Sequence, residues 1–210
     1  MLILEIIYSL FLYSLFGIVH TVLASEKIKL KVVEFAGDKI AFYRLGYNII
    51  SVLTIYLIWK LLPELNQTVF DLPYPYDLTV LLFQLVGLAG FFWCMKYFCF
   101  REFIGLAQID RWFSGNYDKN SLDEESVFMA IGPYKYSRHP IYFFSILILM
   151  FRPYMDLQYL LFLICAVIYF YIGAYFEEKK LLNKFGNDYL DYSSKVPRIV
   201  PYKILRGTRE

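Results

Sequence analysis

Long apolar runs dominate this chain, and charged residues seldom interrupt them. Two lie at about Leu2–Ala24 and Tyr43–Leu62, a third at about Leu78–Phe100, and a fourth at about Leu157–Phe176 carries no charge. An apolar run of about 18 residues or more has the length of a helix that crosses a hydrocarbon layer about 30 Å thick. The pattern therefore predicts an all-α integral membrane protein.

A shorter apolar run, Ile141–Phe151, lies between the third and fourth long runs. It follows Pro140, a residue favoured in the first turn of a helix, and stops at Arg152-Pro153. We expect it to form a helical hairpin with the last long run, which makes about five transmembrane helices. Composition agrees, because 59% of the residues are apolar and only 19% are charged, against about 25% charged in an average soluble domain.

The basic residues predict how the chain crosses the membrane. Nineteen of the 21 Lys and Arg residues fall in three segments, residues 27–44, 96–138 and 179–209. Lys and Arg concentrate in cytoplasmic loops, so we expect the N-terminus outside and the C-terminal tail in the cytoplasm. The first run lacks a basic leader, and we expect a spanning helix there rather than a cleaved signal peptide. The basic residues form no isolated stripe, so the sequence does not predict a nucleic-acid partner.

Several familiar signatures are missing from the sequence. It has no glycine-rich dinucleotide fingerprint, no phosphate-binding P-loop and no HExxH motif. Its two histidines, His20 and His139, are far apart and lack the Cys or His neighbours of a zinc site. The sequence therefore predicts no metal, and any cofactor must be held by the helices and the tail.

One run of candidate chemistry is Gly132-Pro133-Tyr134-Lys135-Tyr136-Ser137-Arg138-His139-Pro140-Ile141-Tyr142. Gly-Pro-Tyr predicts a turn, and Pro140 predicts the start of a helix whose first N–H groups are free. Arg138 and His139 are then expected beside a helix N-terminus, which favours anionic and polar ligands. An interfacial basic and aromatic anchor is the alternative interpretation.

The second run is Glu177–Tyr192, followed by Val196-Pro197-Arg198-Ile199-Val200-Pro201. Glu177 and Glu178 directly follow an apolar run, and a carboxylate close to hydrocarbon is costly and a candidate functional group. The alternative is that both carboxylates face water and pair with Lys180 or Lys184 along the helix. Gly186 predicts the end of that helix at Phe185.

Together the two runs resemble the isoprenylcysteine carboxyl methyltransferase family and its bacterial and archaeal relatives. The family's pattern is G-P-Y-x-x-x-R-H-P-x-Y, a hairpin, and then E-x-x-L-x-x-x-F-G-x-x-Y-x-x-Y-x-x-x-V-P-R-x-x-P. The chain fits this pattern from Gly132 to Pro201, with Glu178 as its first carboxylate. Two motifs in this order, separated by a hairpin, form a specific signal.

The N-terminal part is similar to a narrower branch of that family. His20-Thr21-Val22-Leu23-Ala24-Ser25 and Tyr43-Arg44-Leu45-Gly46-Tyr47-Asn48 resemble the branch of methanethiol S-methyltransferases and NnrU-like proteins. Without this context, His20 would be interpreted as a histidine satisfied inside the helix bundle. The resemblance gives it a place near the substrate.

The resemblance implies a site for S-adenosylmethionine (SAM) at the cytoplasmic membrane surface, closed by the tail. The cofactor-binding residues that it implies are Tyr134, Arg138, His139, Pro140, Tyr142, Glu178 and Tyr189. The catalytic residues that it implies are Arg198, Glu178 and His20. It also implies three functional ranges: N-terminal transmembrane helices in 1–100, a cytoplasmic loop in 101–138, and the SAM-binding hairpin and tail in 139–210.

The methyl acceptor stays open among several classes. The N-terminal similarity favours a small thiol such as methanethiol, and a lipid-like acceptor is the next choice, as in isoprenylcysteine carboxyl or phospholipid methyltransferases. A related NADPH-dependent sterol reductase is a weaker alternative, because the tail shows no basic cluster for a 2′-phosphate. A non-enzymatic regulatory or transport protein of the NnrU-like kind is another. Membrane lipids are expected neighbours, and the oligomeric state and the role of the acidic run Asp123-Glu124-Glu125 are not predicted.

Overall fold

The computed structural model describes residues 1–122 and 128–203, and the acidic run Asp123-Glu124-Glu125 lies outside the described residues. The longer elements are α1 (Leu2–Ala24), α2 (Glu26–Ala36), α3 (Tyr43–Leu61), β1 (Thr68–Asp71), α4 (Tyr76–Met95), α5 (Phe100–Ile104), α6 (Leu106–Phe113), α7 (Pro140–Met150), β2 (Tyr154–Asp156), α8 (Leu157–Phe185) and α9 (Asn187–Lys195). Short 3₁₀ turns lie at Gly37–Phe42, Lys119–Ser121 and Gly132–Lys135.

The predicted all-α membrane architecture is confirmed. Within the described ranges, four stretches are long and apolar enough to cross a membrane: Leu2–Ala24, Glu26–Leu61, Tyr76–Met95 and Leu157–Phe185. The fifth predicted span, α7, has 11 residues, which corresponds to about 16 Å of helix and is too short to cross the hydrocarbon layer alone.

The chain forms two compact units. The first comprises Met1–Glu64 and Cys99–Ser126, and the second comprises Leu65–Phe98 and Val127–Glu210. The functional ranges 1–100, 101–138 and 139–210 stay a prediction, and the two units divide the chain at other points.

In the first unit α1 packs against α3, and the 3₁₀ turn Gly37–Phe42 contacts both α2 and α6. The helices α5 and α6 lie where the sequence predicts a loop. Both are short, five and eight residues, and one or two turns are too few to show a helical period in the sequence.

In the second unit α4 packs closely against α7, and α7 contacts α8. Close packing depends on glycine, because a Cβ at Gly90 would overlap the ring of Phe144 and one at Gly87 would lie 3.0 Å from Ile148. Protein interiors leave no room for such atoms without displacement. The α4–α7 contact therefore sets the position of α7, whose first residue is Pro140 as predicted.

A two-stranded antiparallel sheet joins the segment before α4 to the short connection between α7 and α8. Thr68 pairs with Asp156 and Asp71 with Tyr154, with an irregularity in between. Leu65 and Met155 are buried in this region. The sequence does not predict this sheet, since three or four residues carry too little alternation to indicate a strand.

Candidate active site

The tail is held at the entrance of α7 by backbone hydrogen bonds. The N–H of Arg138 donates to the carbonyl of Pro197, and the N–H of His139 donates to the carbonyl of Arg198, each at 2.9 Å. The buried Ser137 hydroxyl donates to the carbonyl of Ile199 at 2.7 Å. These N–H groups immediately precede α7, which begins at Pro140, and the second motif supplies the carbonyl partners that the helix itself does not give them.

Glu178 lies at the centre of the charged cluster that this arrangement creates. Arg198 donates to both carboxylate oxygens, from Nη2 to Oε2 at 2.8 Å and from Nε to Oε1 at 3.1 Å. On the other side, His139 Nε2 lies 3.2 Å and Arg138 Nε 3.4 Å from Oε1. Only 10% of the Glu178 side chain is exposed, so a buried carboxylate is shared among three cationic groups.

His139 links Glu178 to the neighbouring carboxylate. Its Nδ1 lies 3.3 Å from Glu177 Oε2 while its Nε2 faces Glu178. Burial by itself would lower the pKa of His139, but the hydrogen bonds and charges of Glu177 and Glu178 raise it above its usual value. Both ring nitrogens face carboxylates, an arrangement that suits the doubly protonated imidazolium.

Two buried donors of the cluster lack a hydrogen-bond partner among the described residues, Arg138 Nε and Tyr189 Oη. Arg138 Nε is close enough to Glu178 for an ion pair, but its geometry is not that of a hydrogen bond. Burial, followed by the charge of Glu178, raises the pKa of Tyr189 to about 12, so its hydroxyl stays a neutral donor. Arg138 is also among the side chains that act on the Tyr189 hydroxyl, so the two groups lie together beside Glu178.

Aromatic side chains enclose the cluster. The Tyr142 ring stacks on His139 with 5.3 Å between centroids and on Phe170 with 5.0 Å, and its hydroxyl donates to Glu177 at 3.3 Å. On the other side, the Tyr192 hydroxyl donates to the carbonyl of Tyr134 at 2.7 Å and ties α9 to the turn before α7. The cluster thus has charged groups at its centre and flat rings around it.

The structure brings the predicted residues of the second unit together. Arg138, His139, Tyr189 and Arg198 meet around Glu178. Tyr142 contacts the neighbouring Glu177, Tyr134 is tied to α9 through Tyr192, and Pro140 begins α7. Burial raises the pKa of Tyr134 to about 12, aided by the charge of Glu177 among others. Pro140 is buried as the first residue of α7, and a direct contact of Pro140 with the cofactor stays a prediction.

His20 belongs to the other unit, in a polar contact between α1 and α3. Its Nδ1 lies 2.9 Å from the Ser51 hydroxyl, and its Nε2 is hydrogen-bonded to the Tyr47 hydroxyl. The Ser51 hydroxyl donates to the Tyr47 carbonyl, so we assign the His20 ring proton to Nδ1. This is the arrangement of a histidine satisfied within its bundle, and its catalytic role stays a prediction.

Sequence reasoning missed Ser137, and it named Glu177 as a candidate carboxylate without giving it a role in the site. Ser137 lies inside the first motif, but the pattern leaves its position variable, and its contact with the tail spans 62 residues of sequence. Glu177 adjoins Glu178, and only the fold shows that both carboxylates face His139. Long-range pairings of this kind leave no local signal in a single sequence.

The second unit therefore presents a buried ion cluster at the end of an apolar helix, in an integral membrane protein. The comparisons with known proteins agree on one family. The chain is 30% identical over 206 residues to methanethiol S-methyltransferase 1 of Bradyrhizobium diazoefficiens, covering 94% of this chain and 67% of that protein. It is 29% identical to the methanethiol S-methyltransferase of Pseudomonas sp. GM41, over 90% of this chain and 71% of that protein.

A third relative, the methanethiol S-methyltransferase of Mycobacterium tuberculosis, is 27% identical over 94% of this chain and 78% of its own length. The chain belongs to the methanethiol S-methyltransferase family, which confirms the branch predicted from the motifs. No established family profile matches the chain. No solved structure matches it.

Proposed function

We propose that this protein is an integral membrane methyltransferase that transfers the methyl group of SAM to a small thiol. The observation that carries the proposal is the Glu178 cluster, in which a buried carboxylate meets three cationic side chains beside two donors without a hydrogen-bond partner. Charged groups held in a buried, aromatic-walled site are typical of a binding site for a charged small molecule.

The groups of the cluster fit the charged end of SAM. Arg138 and Tyr189, which lie together beside Glu178, suit its carboxylate, and the carboxylates of Glu177 and Glu178 suit its ammonium and sulfonium charges. The stacked ring of Tyr142 offers a face for the adenine or the sulfonium. When bound, SAM supplies a methyl group on a good leaving group, so the protein's part is alignment and exclusion of water.

Arg198 suits the acceptor side of the reaction. Its side chain is 40% exposed, while Glu178 holds its guanidinium in place and raises its pKa. A fixed cation beside a thiol lowers the thiol's pKa and favours the nucleophilic thiolate. The names of the three relatives support methanethiol or a similar small thiol as the acceptor.

The membrane orientation forms part of the proposal. Residues 96–138 and 179–209, which flank the hairpin that carries the Glu178 cluster, hold most of the Lys and Arg residues. Such loops are cytoplasmic in most membrane proteins, which favours a cytoplasmic position for the cluster. SAM is a soluble cytoplasmic metabolite, so the cofactor and the cluster would meet on the same side of the membrane.

The test is calorimetric titration of SAM and its demethylated product into the detergent-purified full chain. We expect binding by the wild type that falls at least tenfold in Glu178→Gln, because a charged hydrogen bond contributes about 1.5–3 kcal/mol. The matched control is Asp191→Asn, which removes the carboxylate of the Asp191–Lys195 ion pair on α9. The Asp191 side chain is 67% exposed. Absence of binding to a folded wild type, or equal loss in the control, would contradict the proposal.

A further inference from the structure

A cavity of about 380 Å³ lies beside the tail and adjoins the Glu178 cluster. Its wall includes three cationic side chains, Arg138, Arg198 and Lys203. Among the described residues, no carboxylate lines it. Its volume falls in the range of about 300–1,000 Å³ that is typical of small-molecule sites. A cavity with this size and this wall suits a small anion.

Two of the cationic side chains are held in place and still have a donor to give. Arg198 uses Nε and Nη2 on Glu178, and its Nη1 has no hydrogen-bond partner in the described part of the chain. Lys203 Nζ donates to the carbonyls of Lys195 at 2.5 Å and Ser194 at 3.2 Å, and an ammonium has three N–H groups. Fixed cationic donors of this kind form strong hydrogen bonds with a carboxylate.

The charges around the cavity also favour an anion. Glu178 compensates Arg198, and Glu177 faces His139. Lys203 has no carboxylate partner within the described ranges, since its ammonium contacts backbone carbonyls. Binding of SAM would add one more net positive charge, because SAM has two cationic groups and one carboxylate. The site with its cofactor therefore has an excess of positive charge that an anionic acceptor would balance.

We infer that this cavity binds an anionic group of the methyl acceptor, that small thiols with a carboxylate, such as 3-mercaptopropanoate, are therefore substrates, and that Lys203 determines this specificity. The inference rests on the proposed function and extends its acceptors beyond methanethiol. The carboxylate would contact Lys203 and the outer edge of Arg198. The thiol, two methylene groups away, would then lie between this edge and Glu178.

The reaction is the same methyl transfer with a better-aligned acceptor. The thiol loses its proton to water, which the fixed guanidinium of Arg198 favours. The sulfur lone pair forms the new S–CH₃ bond while the C–S⁺ bond of SAM breaks, and the electron pair stays on the SAM sulfur. The product is 3-(methylthio)propanoate. Holding the carboxylate fixes the position of the sulfur, and such alignment accelerates a displacement.

The experiment compares 3-mercaptopropanoate with its methyl ester, which has the same thiol and no charge. The ratio of the two kcat/KM values, here called the carboxylate preference, is measured at saturating SAM with the detergent-purified full chain. The carboxylate raises the pKa of its own thiol, so reactivity alone favours the ester. We expect the wild type to prefer the carboxylate about tenfold and Lys203→Gln to lose most of this preference, since a hydrogen bond to a charged group has about this effect.

Two further variants control for charge and for folding. Lys203→Arg keeps the charge and is expected to retain the carboxylate preference. Lys195→Gln removes a 68% exposed ammonium on α9 that pairs with Asp191 and does not line the cavity. It is expected to have the preference of the wild type. Because the preference is a ratio within one protein, a general loss of folding does not change it.

The outcomes separate this inference from the proposed function. If the wild type methylates methanethiol and the ester but shows no carboxylate preference, the proposed function stands and the inference is overturned. A preference that Lys203→Gln retains also overturns it. So does a loss of SAM affinity in Lys203→Gln as large as the loss of preference, because the cavity would then hold the carboxylate of SAM. If the wild type methylates no thiol, both fail. A preference lost in Lys203→Gln and kept in Lys203→Arg, with SAM affinity retained, supports both.

Discussion

The surroundings of Glu178 stabilise a carboxylate that would be costly to bury alone. A carboxylate that is 10% exposed would be strongly destabilising without partners, and here Arg138, His139 and Arg198 all lie within 3.4 Å of it. Removing one member of such a cluster leaves uncompensated buried charge. In the function proposed above, the charged groups of a ligand replace or extend these contacts.

The pH dependence of stability tests the protonation of His139. The folded protein raises the pKa of His139 above the usual value of about 6.5, through Glu177 and Glu178 and against the effect of burial. A raised pKa means that the imidazolium stabilises the fold fully below about pH 6.5 and loses this effect as the pH rises through the folded pKa. Arg138 and Arg198 also face the cluster.

We therefore expect the melting temperature of the wild type to fall as the pH rises above about 6.5, and the fall to be smaller in His139→Gln. Differential scanning fluorimetry of both proteins in detergent measures it, with buffers matched in ionic strength. Parallel pH curves for the two proteins would show that His139 does not titrate as described.

At the scale of elements, the site depends on how the tail is attached to α7. Both contacts use N–H groups that immediately precede α7, those of Arg138 and His139, and they hold the backbone at Pro197 and Arg198. The Ser137 hydroxyl donates its one hydrogen to the carbonyl of Ile199 at 2.7 Å, and the carbonyl of Arg198 lies 3.2 Å from the same oxygen. The position of the Arg198 guanidinium therefore follows from backbone pairing as well as from its ion pair.

Ser137→Ala is expected to loosen the tail at a cost of about 1–2 kcal/mol, since buried carbonyls lose a donor. Faster hydrogen exchange at the amides of Arg138 and His139 is the measurable result. The matched control is Ser193→Ala, whose exposed hydroxyl donates within its own helix. Unchanged exchange in Ser137→Ala would show that the tail is held by other contacts.

The contact of α4 with α7 gives a second prediction at this scale. Gly90→Ala places a methyl group in the ring of Phe144, and overpacking of this kind costs about 1–3 kcal/mol. Gly46→Ala on α3 is the control, because nothing lies within 4 Å of its added Cβ. Thermal unfolding of the two variants is expected to show a clear loss for Gly90→Ala and none for Gly46→Ala, and equal melting temperatures would contradict the packing described.

At the scale of the whole molecule, the spanning helices follow from the sequence because the bilayer demands continuous apolar runs. The predicted run Leu2–Ala24 coincides with α1, and Tyr43–Leu62 differs from α3 by one residue. The pairing of Thr68–Asp71 with Tyr154–Asp156 could not be predicted, because it joins segments more than 80 residues apart without a local signal. The amphipathic segment Leu106–Phe113 was too short to distinguish from a loop.

Part of the site was predictable because the apolar runs make the charged residues beside them stand out in the sequence. Motif positions such as Arg138, His139 and Glu178 could be chosen from the sequence because charged residues next to apolar runs are exceptional. Their mutual geometry, and the participation of Ser137 and Glu177, depend on the hairpin that brings α7 beside α8. The burial of Arg138 Nε and Tyr189 Oη also depends on the packing of the side chains in three dimensions.

The orientation of the chain can be tested with single cysteines in a background without Cys94, Cys99 and Cys165. Both introduced sites, at Asp191 in α9 and Glu64 after α3, replace exposed residues. We expect a membrane-impermeant maleimide to label Glu64→Cys in intact cells and Asp191→Cys only after the membrane is opened. The reverse labelling pattern would place the Glu178 cluster on the outer side.

The most direct test of the central claim is transfer of a labelled methyl group. The purified full chain is incubated with SAM carrying a trideuterated methyl group and with methanethiol, and the headspace is analysed by gas chromatography and mass spectrometry. The account predicts trideuterated dimethyl sulfide from the wild type and at least tenfold less from Glu178→Gln, with Asp191→Asn like the wild type. A folded wild type that binds SAM and forms no labelled thioether would contradict it.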